Sequence, residues 1–309
     1  MAKPTTPPRA PDADTAPGRG YRIGQTVIPA RPIDPGLHLV ATPIGNLGDI
    51  SLRALETLAG ADIIACEDTR VTRVLLDRYG IATRPYAYHE HNADVVGPKL
   101  IGALAAGKSV ALVSDAGTPL VSDPGYRLAV SAIADNRRVI PVPGASAPLA
   151  ALVASGLPNE AFLFGGFLPQ REKARRDRLL EFSGVAATLL FFESPNRIGA
   201  ALASAVAVLG ADRKAAVCRE LTKAFEEVRR GTLGELALAY ADAHVRGEIV
   251  LAIGLGKPEA MGEAEVERIL AAVSGSMSTG QAATEAARQT GLPRKELYGR
   301  LLARRDGSR

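Results

Sequence analysis

Residues 109–125 read SVALVSDAGTPLVSDPG, an apolar run followed by a loop that holds two Asp, two Gly and two Pro. The apolar run predicts a buried strand. Glycine lets the backbone approach a ligand closely, and proline restricts the turn. Asp115 has two interpretations, because its carboxylate can accept hydrogen bonds from a ligand hydroxyl or ammonium group or can cap a turn. The loop is therefore either a ligand-binding loop or a structural turn.

The segments on both sides repeat the arrangement of a strand followed by a loop. Apolar runs at 37–42, 62–67 and 138–142 are separated by segments with helical spacing. Strands that alternate with helices predict βαβ units and a largely parallel sheet. Ligands of such sheets bind beyond the carboxyl ends of the strands. The loops TPIGN, SDAGTP and PGASA each follow a strand, so we expect them to contribute to one site.

A second α/β unit is predicted downstream of residue 156. Strands are predicted at 187–194, 214–221 and 247–256, with helical patterns between them, and we expect a mixed sheet. The chain is thus predicted to be α/β, with two α/β domains, a cleft between them and a small helical segment at the C-terminus. The predicted divisions are a tail at 1–35, an N-terminal domain at 36–155, a C-terminal domain at 156–257 and a basic helical segment at 258–309.

The first 35 residues are rich in Pro and Ala and lack apolar periodicity, which predicts a disordered tail. They hold no apolar region of a secretory signal, and no run of about 18 apolar residues occurs in the chain, so a cytoplasmic protein is the default expectation. Cys66 and Cys218 lie in apolar runs and are predicted to be buried. His89 and His91 have no third ligand nearby in the sequence, so we predict no metal site.

The C-terminal segment carries a local excess of positive charge, whereas the whole chain has a net charge of only +4. Alanines at 282, 283, 286 and 287 mark one helix, Gly291 ends it, and Pro293 suits the start of the next. This spacing resembles a helix-turn-helix. The segment either neutralises phosphate groups of a nucleic acid or is a solvated helical hairpin without a partner.

Six motifs in order carry a resemblance over about residues 37–256. The loops resemble those of the tetrapyrrole methylase superfamily. More closely, the chain is similar to the ribosomal RNA small subunit methyltransferase I family. That resemblance implies S-adenosylmethionine as cofactor, methylation of the ribose 2′-oxygen of a cytidine in 16S rRNA of the 30S subunit, and a homodimer. The motifs are LVATPIGNLGDISLRALETLAGADIIACEDTR (39–70), ALVSDAGTPLVSDPGYRL (111–128), VPGASA (142–147), FESPNR (192–197), RELTKAFEE (219–227) and GEIVL (247–251).

The resemblance also implies which residues contact the cofactor. Ser114 departs from the glycine common at its position, and Glu193 replaces an apolar residue. Each of these positions has an alternative role in capping or packing. The implied contacts are Pro43, Val113, Ser114, Asp115, Thr118, Ser146, Ala147, Glu193 and Leu221.

A ribose hydroxyl is a weak acid, so a base or a cation that stabilises an alkoxide would assist methyl transfer. A sulfonium methyl group is already activated, so no metal is needed. Asp68 has an alternative role as a helix cap, and the arginines have alternative roles in binding phosphate or in ion pairs. The catalytic candidates in the motifs EDTR, ESPNR and RELTK are Asp68, Arg197, Arg219, Glu220 and Lys223, with Arg70 and Glu193 beside them.

Two other functions remain open from the sequence. One is a methyltransferase of cobalamin or siroheme synthesis, which would share the cofactor cleft but would need a trough for a tetrapyrrole. The other is an RNA-binding protein with a degenerate cleft and no catalytic activity. The basic C-terminus argues against the first function, and the presence of all three loops argues against the second.

Overall fold

The computed structural model describes residues 19–121, 125–256, 263–274 and 277–306. The strands are β1 (Gly20–Ile23), β2 (Thr26–Pro29), β3 (Gly36–Val40), β4 (Ile63–Cys66), β5 (Pro85–Ala87), β6 (Ser109–Val113), β7 (Val139–Val142), β8 (Phe162–Phe167), β9 (Thr188–Glu193), β10 (Lys214–Arg219), β11 (Glu227–Thr232) and β12 (Ile249–Ile253). The helices are α1 (Leu52–Gly60), α2 (Thr69–Arg78), α3 (Ala93–Ala105), α4 (Tyr126–Ala134), α5 (Ala147–Ser155), α6 (Glu172–Glu181), α7 (Ile198–Leu209), α8 (Leu233–Tyr240), α9 (Glu263–Ser274), α10 (Thr279–Thr290) and α11 (Arg294–Asp306).

Five parallel strands form the first sheet, in the order β5-β4-β6-β3-β7. All five residues of β6 are buried, as expected for a strand covered on both faces. Two apolar clusters account for this: one includes Leu55 and Leu76 of α1 and α2, and the other includes Leu100 and Leu128 of α3 and α4. The predicted parallel α/β unit is confirmed.

The second sheet is mixed, as predicted, with the order β11-β10-β12-β9-β8. Strands β8 and β9 run parallel, and the other neighbours are antiparallel. Helices α7 and α8 pack against this sheet in an apolar cluster that includes Leu202, Leu236 and Phe191. The buried runs of β9, β10 and β12 correspond to the three predicted strands of this unit.

Helix α5 joins the two α/β units through its packing. It begins at the end of the PGASA loop of the first unit, and its Ala151 and Leu152 pack against Leu190, Ala216 and Val250 of the second sheet. The loop that leads into α5 therefore lies at the boundary between the units. A ligand held by this loop can also reach side chains of the second sheet.

The predicted disorder of residues 1–35 is wrong for residues 19–35. Strands β1 and β2 form an antiparallel hairpin. Tyr21 of β1 and Ala30, directly after β2, are buried against the first α/β unit. The Arg22 N–H donates to the Tyr79 carbonyl at 2.7 Å, and Arg19 pairs with Asp62 at 3.0 Å. The hairpin packs against apolar residues of α1 and α2, which lie far from it in the sequence. Local periodicity therefore gives no sign of these contacts. Residues 1–18 lie outside the described part of the chain.

The C-terminal helices α9, α10 and α11 enclose a small apolar core of their own, which includes Leu270, Ala283 and Leu297. Ser278 caps α10, and its hydroxyl accepts a hydrogen bond from the Gln281 N–H. Gly291 ends α10 with a φ of +69°, a conformation that favours glycine. The predicted helix end at Gly291 and the start of a new helix just after Pro293 are confirmed. Across the residues that the structure describes, no helix is both long and apolar enough to span a bilayer.

Candidate active site

The three predicted loops meet at the carboxyl ends of β3, β6 and β7. Thr42 and Gly117 form an antiparallel bridge between the first two loops. The Thr118 hydroxyl donates to the Ala145 carbonyl of the third loop at 3.1 Å. Gly117 has a φ of +80°, which a residue with a side chain rarely adopts. Hydrogen bonds and backbone conformation therefore hold these loops together without a ligand.

A cavity of about 380 Å³ lies between these loops and the second sheet, and we call it the donor cavity. Its volume is within the range of small-molecule sites. Residues of the first unit that line it are Ile44, Asp115, Ala116, Gly117, Thr118, Val121, Ser146, Ala147 and Pro148. Residues of the second unit that line it are Phe167, Phe192, Glu193, Ser194, Pro195, Cys218, Leu221, Gly247, Glu248, Ile249 and Val250.

Six of the nine implied cofactor contacts line the donor cavity, and three do not. Pro43, Val113 and Ser114 are buried but do not line it. The Ser114 hydroxyl faces its own loop and donates to the Ala116 carbonyl at 3.3 Å. The residues of this set that line the cavity are Asp115, Thr118, Ser146, Ala147, Glu193 and Leu221.

Glu193 lines the cavity, and its side chain is fully buried. The residue is 3% exposed, and burial raises the pKa of its carboxyl group. The Ser194 N–H donates to its Oε1 at 2.8 Å, and Arg197 Nε lies 3.0 Å from the same oxygen. Arg197 also donates to the Leu168 carbonyl. The pair Glu193–Arg197 is therefore an ion pair within the second unit, one of the alternatives that the sequence left open.

The loop after β10 covers the cavity from the second unit. Glu220 and Thr222 have φ values of +50° and +66°, which are uncommon for residues with side chains. Lys223 Nζ donates to Glu220 Oε1 at 2.8 Å and to Glu248 Oε2 at 3.1 Å. Leu221, between the two strained residues, is buried and lines the cavity. These ion pairs hold a strained loop in place, so that Leu221 closes one side of the cavity.

The same loop contacts the first unit. The Asn46 N–H donates to the Thr222 hydroxyl at 3.2 Å, and the Lys223 side chain packs directly on Gly45, where no Cβ would fit without displacing it. We call the contacts among Gly45, Asn46, Thr222 and Lys223 the inter-unit clamp. It bridges the cleft beside the donor cavity.

None of the five catalytic candidates lines the donor cavity. Asp68 caps α2, and its side chain accepts hydrogen bonds from Arg70, which lower the pKa of its carboxyl group to about 2. Arg219 pairs with Glu227 at 3.0 Å. Glu220 and Lys223 pair with each other, and Lys223 lowers the pKa of Glu220. Each candidate therefore has a structural partner, and the cap role of Asp68 and the ion pairs of the arginines match alternatives that the sequence left open.

Several cavity residues were not identified from the sequence. Phe192 packs edge-to-face on Phe164, with ring centroids 4.9 Å apart, and gives the cavity an apolar wall. Cys218 also lines the cavity, and burial raises the pKa of its thiol to about 11, so the thiol is neutral at pH 7. Gly247 and Glu248 lie in the motif GEIVL. This motif is part of the resemblance, but no residue in it was predicted to belong to the site.

A second cavity of about 450 Å³, which we call the acceptor cavity, adjoins the donor cavity. Asp115 lines both cavities. The acceptor cavity lies at the carboxyl ends of β4 and β5, and it is lined by Glu67, Asp68, Thr69, Arg70, Ala87, His89, His91 and Asp115. Within the described residues, no group of three His, Cys, Asp or Glu side chains is placed to hold a metal ion.

Two basic stretches, one in α6 (Glu172–Glu181) and one in the C-terminal segment, are more neutral than their sequences indicate. In α6, Arg175 is buried and donates to the Ser204 hydroxyl at 2.9 Å, so this arginine is not a surface contact for RNA. In the C-terminal segment, Arg300 and Arg304 pair with Glu263 and Glu267 of α9. Acidic residues of α9 therefore neutralise part of the positive charge of this segment.

Comparisons with known proteins agree with the arrangement. A family model described as Tetrapyrrole (Corrin/Porphyrin) Methylases matches residues 36–237, and one described as RsmI C-terminal HTH domain matches residues 260–305. The chain is 60% identical over 287 residues to a protein of Mesorhizobium japonicum named Ribosomal RNA small subunit methyltransferase I, which covers 93% of this chain and 98% of that protein. It is 43% identical to a protein of the same name from Escherichia coli O157:H7, with 85% and 93% covered.

Solved structures resemble the chain in fold. A cobalt precorrin-4 methyltransferase has a TM-score of 0.56 at 16% identity, with 71% of this chain and 94% of that chain covered. A uroporphyrin-III C-methyl transferase from Thermus thermophilus, solved in complex with S-adenyl homocysteine, has a TM-score of 0.51 at 19% identity, with 71% and 97% covered.

Proposed function

The chain belongs to the tetrapyrrole methylases, and within them to the ribosomal RNA small subunit methyltransferase I family, and on this basis we propose that it transfers a methyl group from S-adenosylmethionine to the 2′-hydroxyl of a cytidine ribose in 16S rRNA of the small ribosomal subunit. The observation that carries the proposal is the donor cavity between the two α/β units. The relatives' shared name supports ribosomal RNA as the substrate.

The walls of the donor cavity fit the chemistry of the proposed donor. Ile44, Phe192 and Leu221 offer apolar surface for a purine. Asp115 offers a carboxylate for a ribose hydroxyl or an ammonium group, and the Ser146 hydroxyl makes no hydrogen bond to cap its own helix. The Glu193 carboxylate is fully buried and paired with Arg197, so this residue shapes the wall. We propose that the six implied contacts that line the cavity hold the donor, and that Pro43, Val113 and Ser114 support them.

The bound donor would supply a methyl group that its positive sulfur already activates. The contribution of the protein is then to align the ribose hydroxyl with that methyl group, and alignment alone supplies a large part of the acceleration in such reactions. The inter-unit clamp holds the first unit against the loop that carries Leu221. Asp115, which lines both cavities, is placed where donor and acceptor would meet.

The catalytic candidates contribute differently in this proposal. Asp68 is a poor general base, because a carboxyl group with a pKa of about 2 binds a proton weakly near neutral pH. Its backbone N–H donates to Asp115 Oδ1 at 3.0 Å, so Asp68 positions Asp115. Arg197, Arg219, Glu220 and Lys223 act through the ion pairs described above. We place them as positioning residues around the cleft.

Binding to the 30S subunit would depend on basic side chains that remain exposed. Arg70 has 89% of its side chain exposed beside the acceptor cavity. Arg294 and Lys295 begin α11 in the helix-turn-helix segment. Such contacts to phosphates make binding sensitive to salt. A homodimer, a cytoplasmic location and the domain divisions 36–155, 156–257 and 258–309 belong to the same proposal.

Methyl transfer with a radiolabelled donor tests the proposal. The chain is incubated with 30S subunits, free 16S rRNA and a precorrin, and the modified nucleotide is mapped by mass spectrometry. We expect label in 30S subunits, as a single 2′-O-methylcytidine. Label in the precorrin alone, a methyl group on a base, or no transfer to any RNA would contradict the proposal.

A further inference from the structure

The acceptor cavity opens next to the donor cavity at the carboxyl edge of the first sheet. The two cavities share Asp115, and no other residue of the described part of the chain lines both. A methyl acceptor must lie directly beside the donor, so the position of the acceptor cavity is the one that transfer requires. Its volume of about 450 Å³ is enough for a nucleoside extruded from an RNA helix.

Glu67 is the carboxylate of this cavity that has no partner. Asp68 is occupied by Arg70, with Nη2 of the arginine 2.6 Å from Oδ2. Asp115 accepts the Asp68 N–H. The Glu67 side chain is half-buried and accepts no hydrogen bond from the described residues. Burial and the neighbouring Asp115 raise the pKa of its carboxyl group, and His89 offsets part of this rise. A half-buried carboxylate that no described side chain occupies is available to accept a hydrogen bond from a ligand.

The opposite wall offers surfaces on which a base can stack. The rings of His89 and His91 lie edge-to-face, with centroids 5.9 Å apart, and both line the cavity. Imidazole rings are among the surfaces on which proteins stack unpaired bases. The Nδ1 atom of His89 is buried without a hydrogen-bond partner in the described part of the chain.

The carboxylates of the cavity favour a base with a hydrogen-bond donor over a phosphate group. Three carboxylates line the cavity, whereas the Arg70 side chain is 89% exposed at its rim. A phosphate group can therefore meet Arg70 outside the cavity, but the carboxylates repel it from the interior. An amino group on a base is a hydrogen-bond donor, and Glu or Asp side chains accept from the N4 amino group of cytosine. Uracil presents a carbonyl oxygen at that position, and a carboxylate repels this oxygen.

We propose that the acceptor cavity holds the base of the target nucleotide and that Glu67 is the residue that recognises its exocyclic amino group. This rests on the proposed function, since it assigns the acceptor side of the same reaction. The base stacks on one of the two imidazole rings, whose planes are inclined at 63° to each other, and its ribose extends past Asp115 toward the donor cavity. Glu67 thus selects cytidine over uridine.

Steady-state kinetics on 30S subunits test the role of Glu67. The subunits carry either cytidine or uridine at the mapped position, and the enzymes are the wild type, Glu67→Gln and the control Glu90→Gln. Glu90 is exposed in the neighbouring turn and does not line the cavity. We expect kcat/KM on cytidine to fall at least about tenfold in Glu67→Gln, with the preference over uridine reduced and the affinity for S-adenosylhomocysteine unchanged. We expect Glu90→Gln to match the wild type. Full cytidine preference in Glu67→Gln would overturn the proposal.

A binding experiment on the wild type separates this proposal from the proposed function. The chain has four histidines, so their imidazole signals can be assigned by NMR. With S-adenosylhomocysteine bound, we expect cytidine to shift the signals of His89 and His91 more than uridine does. Active enzyme without these shifts would remove the base subsite and leave the function intact. Cytidine-specific shifts without any rRNA methylation would support the subsite and contradict the function.

Discussion

At the scale of single residues, the shape of the donor cavity depends on backbone conformations that side chains disfavour. Gly247 has a φ of +94°, and a Cβ there would overlap the Glu220 side chain. That side chain is held in place, because its Oε1 accepts hydrogen bonds from Lys223 Nζ at 2.8 Å and from the Glu248 N–H at 2.9 Å. An added methyl group would therefore break contacts that support the strained loop above the cavity.

We expect Gly247→Ala to lower the free energy of unfolding by about 2–4 kcal/mol, the sum of left-handed strain and of one or two lost hydrogen bonds. Gly107→Ala is the matched control, because Gly107 has a φ of +77° but open space around it. We expect this control to lose only about 1–2 kcal/mol, from strain alone. Urea unfolding of both variants measures the difference. Equal losses would show that the contact with Glu220 contributes nothing.

At the scale of secondary-structure elements, the loop between β10 and β11 links the two units. Lys223 packs on Gly45 of the first unit and pairs with Glu220 and Glu248 of the second. About 27% of its side chain is exposed. Burial alone would lower the pKa of this ammonium group, but the two carboxylates raise it, so it stays charged. A charged group held between two carboxylates suits a structural role more than a chemical one.

Lys223→Met tests this role, because methionine keeps an apolar stem on Gly45 and removes the ammonium group. We expect the Kd for S-adenosylhomocysteine to rise about three- to tenfold, as for the loss of about 1 kcal/mol. Lys173→Met is the control, since Lys173 is paired with Asp177 at 2.9 Å on exposed α6. Calorimetry measures the two Kd values. An unchanged Kd with a strongly reduced kcat would place Lys223 in the chemistry instead.

Elements with a strong local pattern could be predicted from the sequence, and elements that depend on distant contacts could not. The buried runs of β6 and β12 stand out by composition, and Gly291 marks the end of α10. Strand β11 reads EVRRGT and has no buried residue, so its pairing with β10 left no apolar signal. The hairpin β1–β2 was missed because its apolar partners lie on α1 and α2.

The position of the candidate site could be predicted from the sequence, but the roles of its single residues could not. The glycine- and proline-rich loops showed where a cavity would form, because such residues allow backbone to approach a ligand. Single-residue roles were harder to assign, since they depend on partners distant in sequence. Arg219 pairs with Glu227 across two strands. Glu67 lies one position before the predicted candidate Asp68, and only the structure distinguishes the saturated carboxylate from the one without a partner.

At the scale of the whole molecule, the C-terminal segment is a separate packing unit. The apolar core of α9, α10 and α11 shares no residue with the cores of the two α/β units. None of its described residues lines the donor cavity. Its removal should therefore leave cofactor binding intact and affect only the proposed contact with the ribosomal subunit.

We expect a chain that lacks residues 260–309 to bind S-adenosylhomocysteine within about twofold of the full chain, since 1.4 kcal/mol corresponds to a factor of ten and no described residue of the segment lines the donor cavity. On 30S subunits we expect turnover to fall at least about tenfold, with a weaker dependence on salt. Activity measured across a range of salt concentrations checks both effects. Unchanged turnover on 30S subunits would remove the RNA-binding role of the segment.

The central claim is that the cavity between the two α/β units is the donor site. The most direct measurement is a calorimetric titration of S-adenosylhomocysteine into the wild type and into Ala147→Phe, which places a large ring in the cavity that Ala147 lines. We expect one molecule to bind per wild-type chain and no measurable heat with Ala147→Phe, although both chains unfold at similar temperatures. No heat with the wild type, or equal affinity in both chains, would contradict the claim.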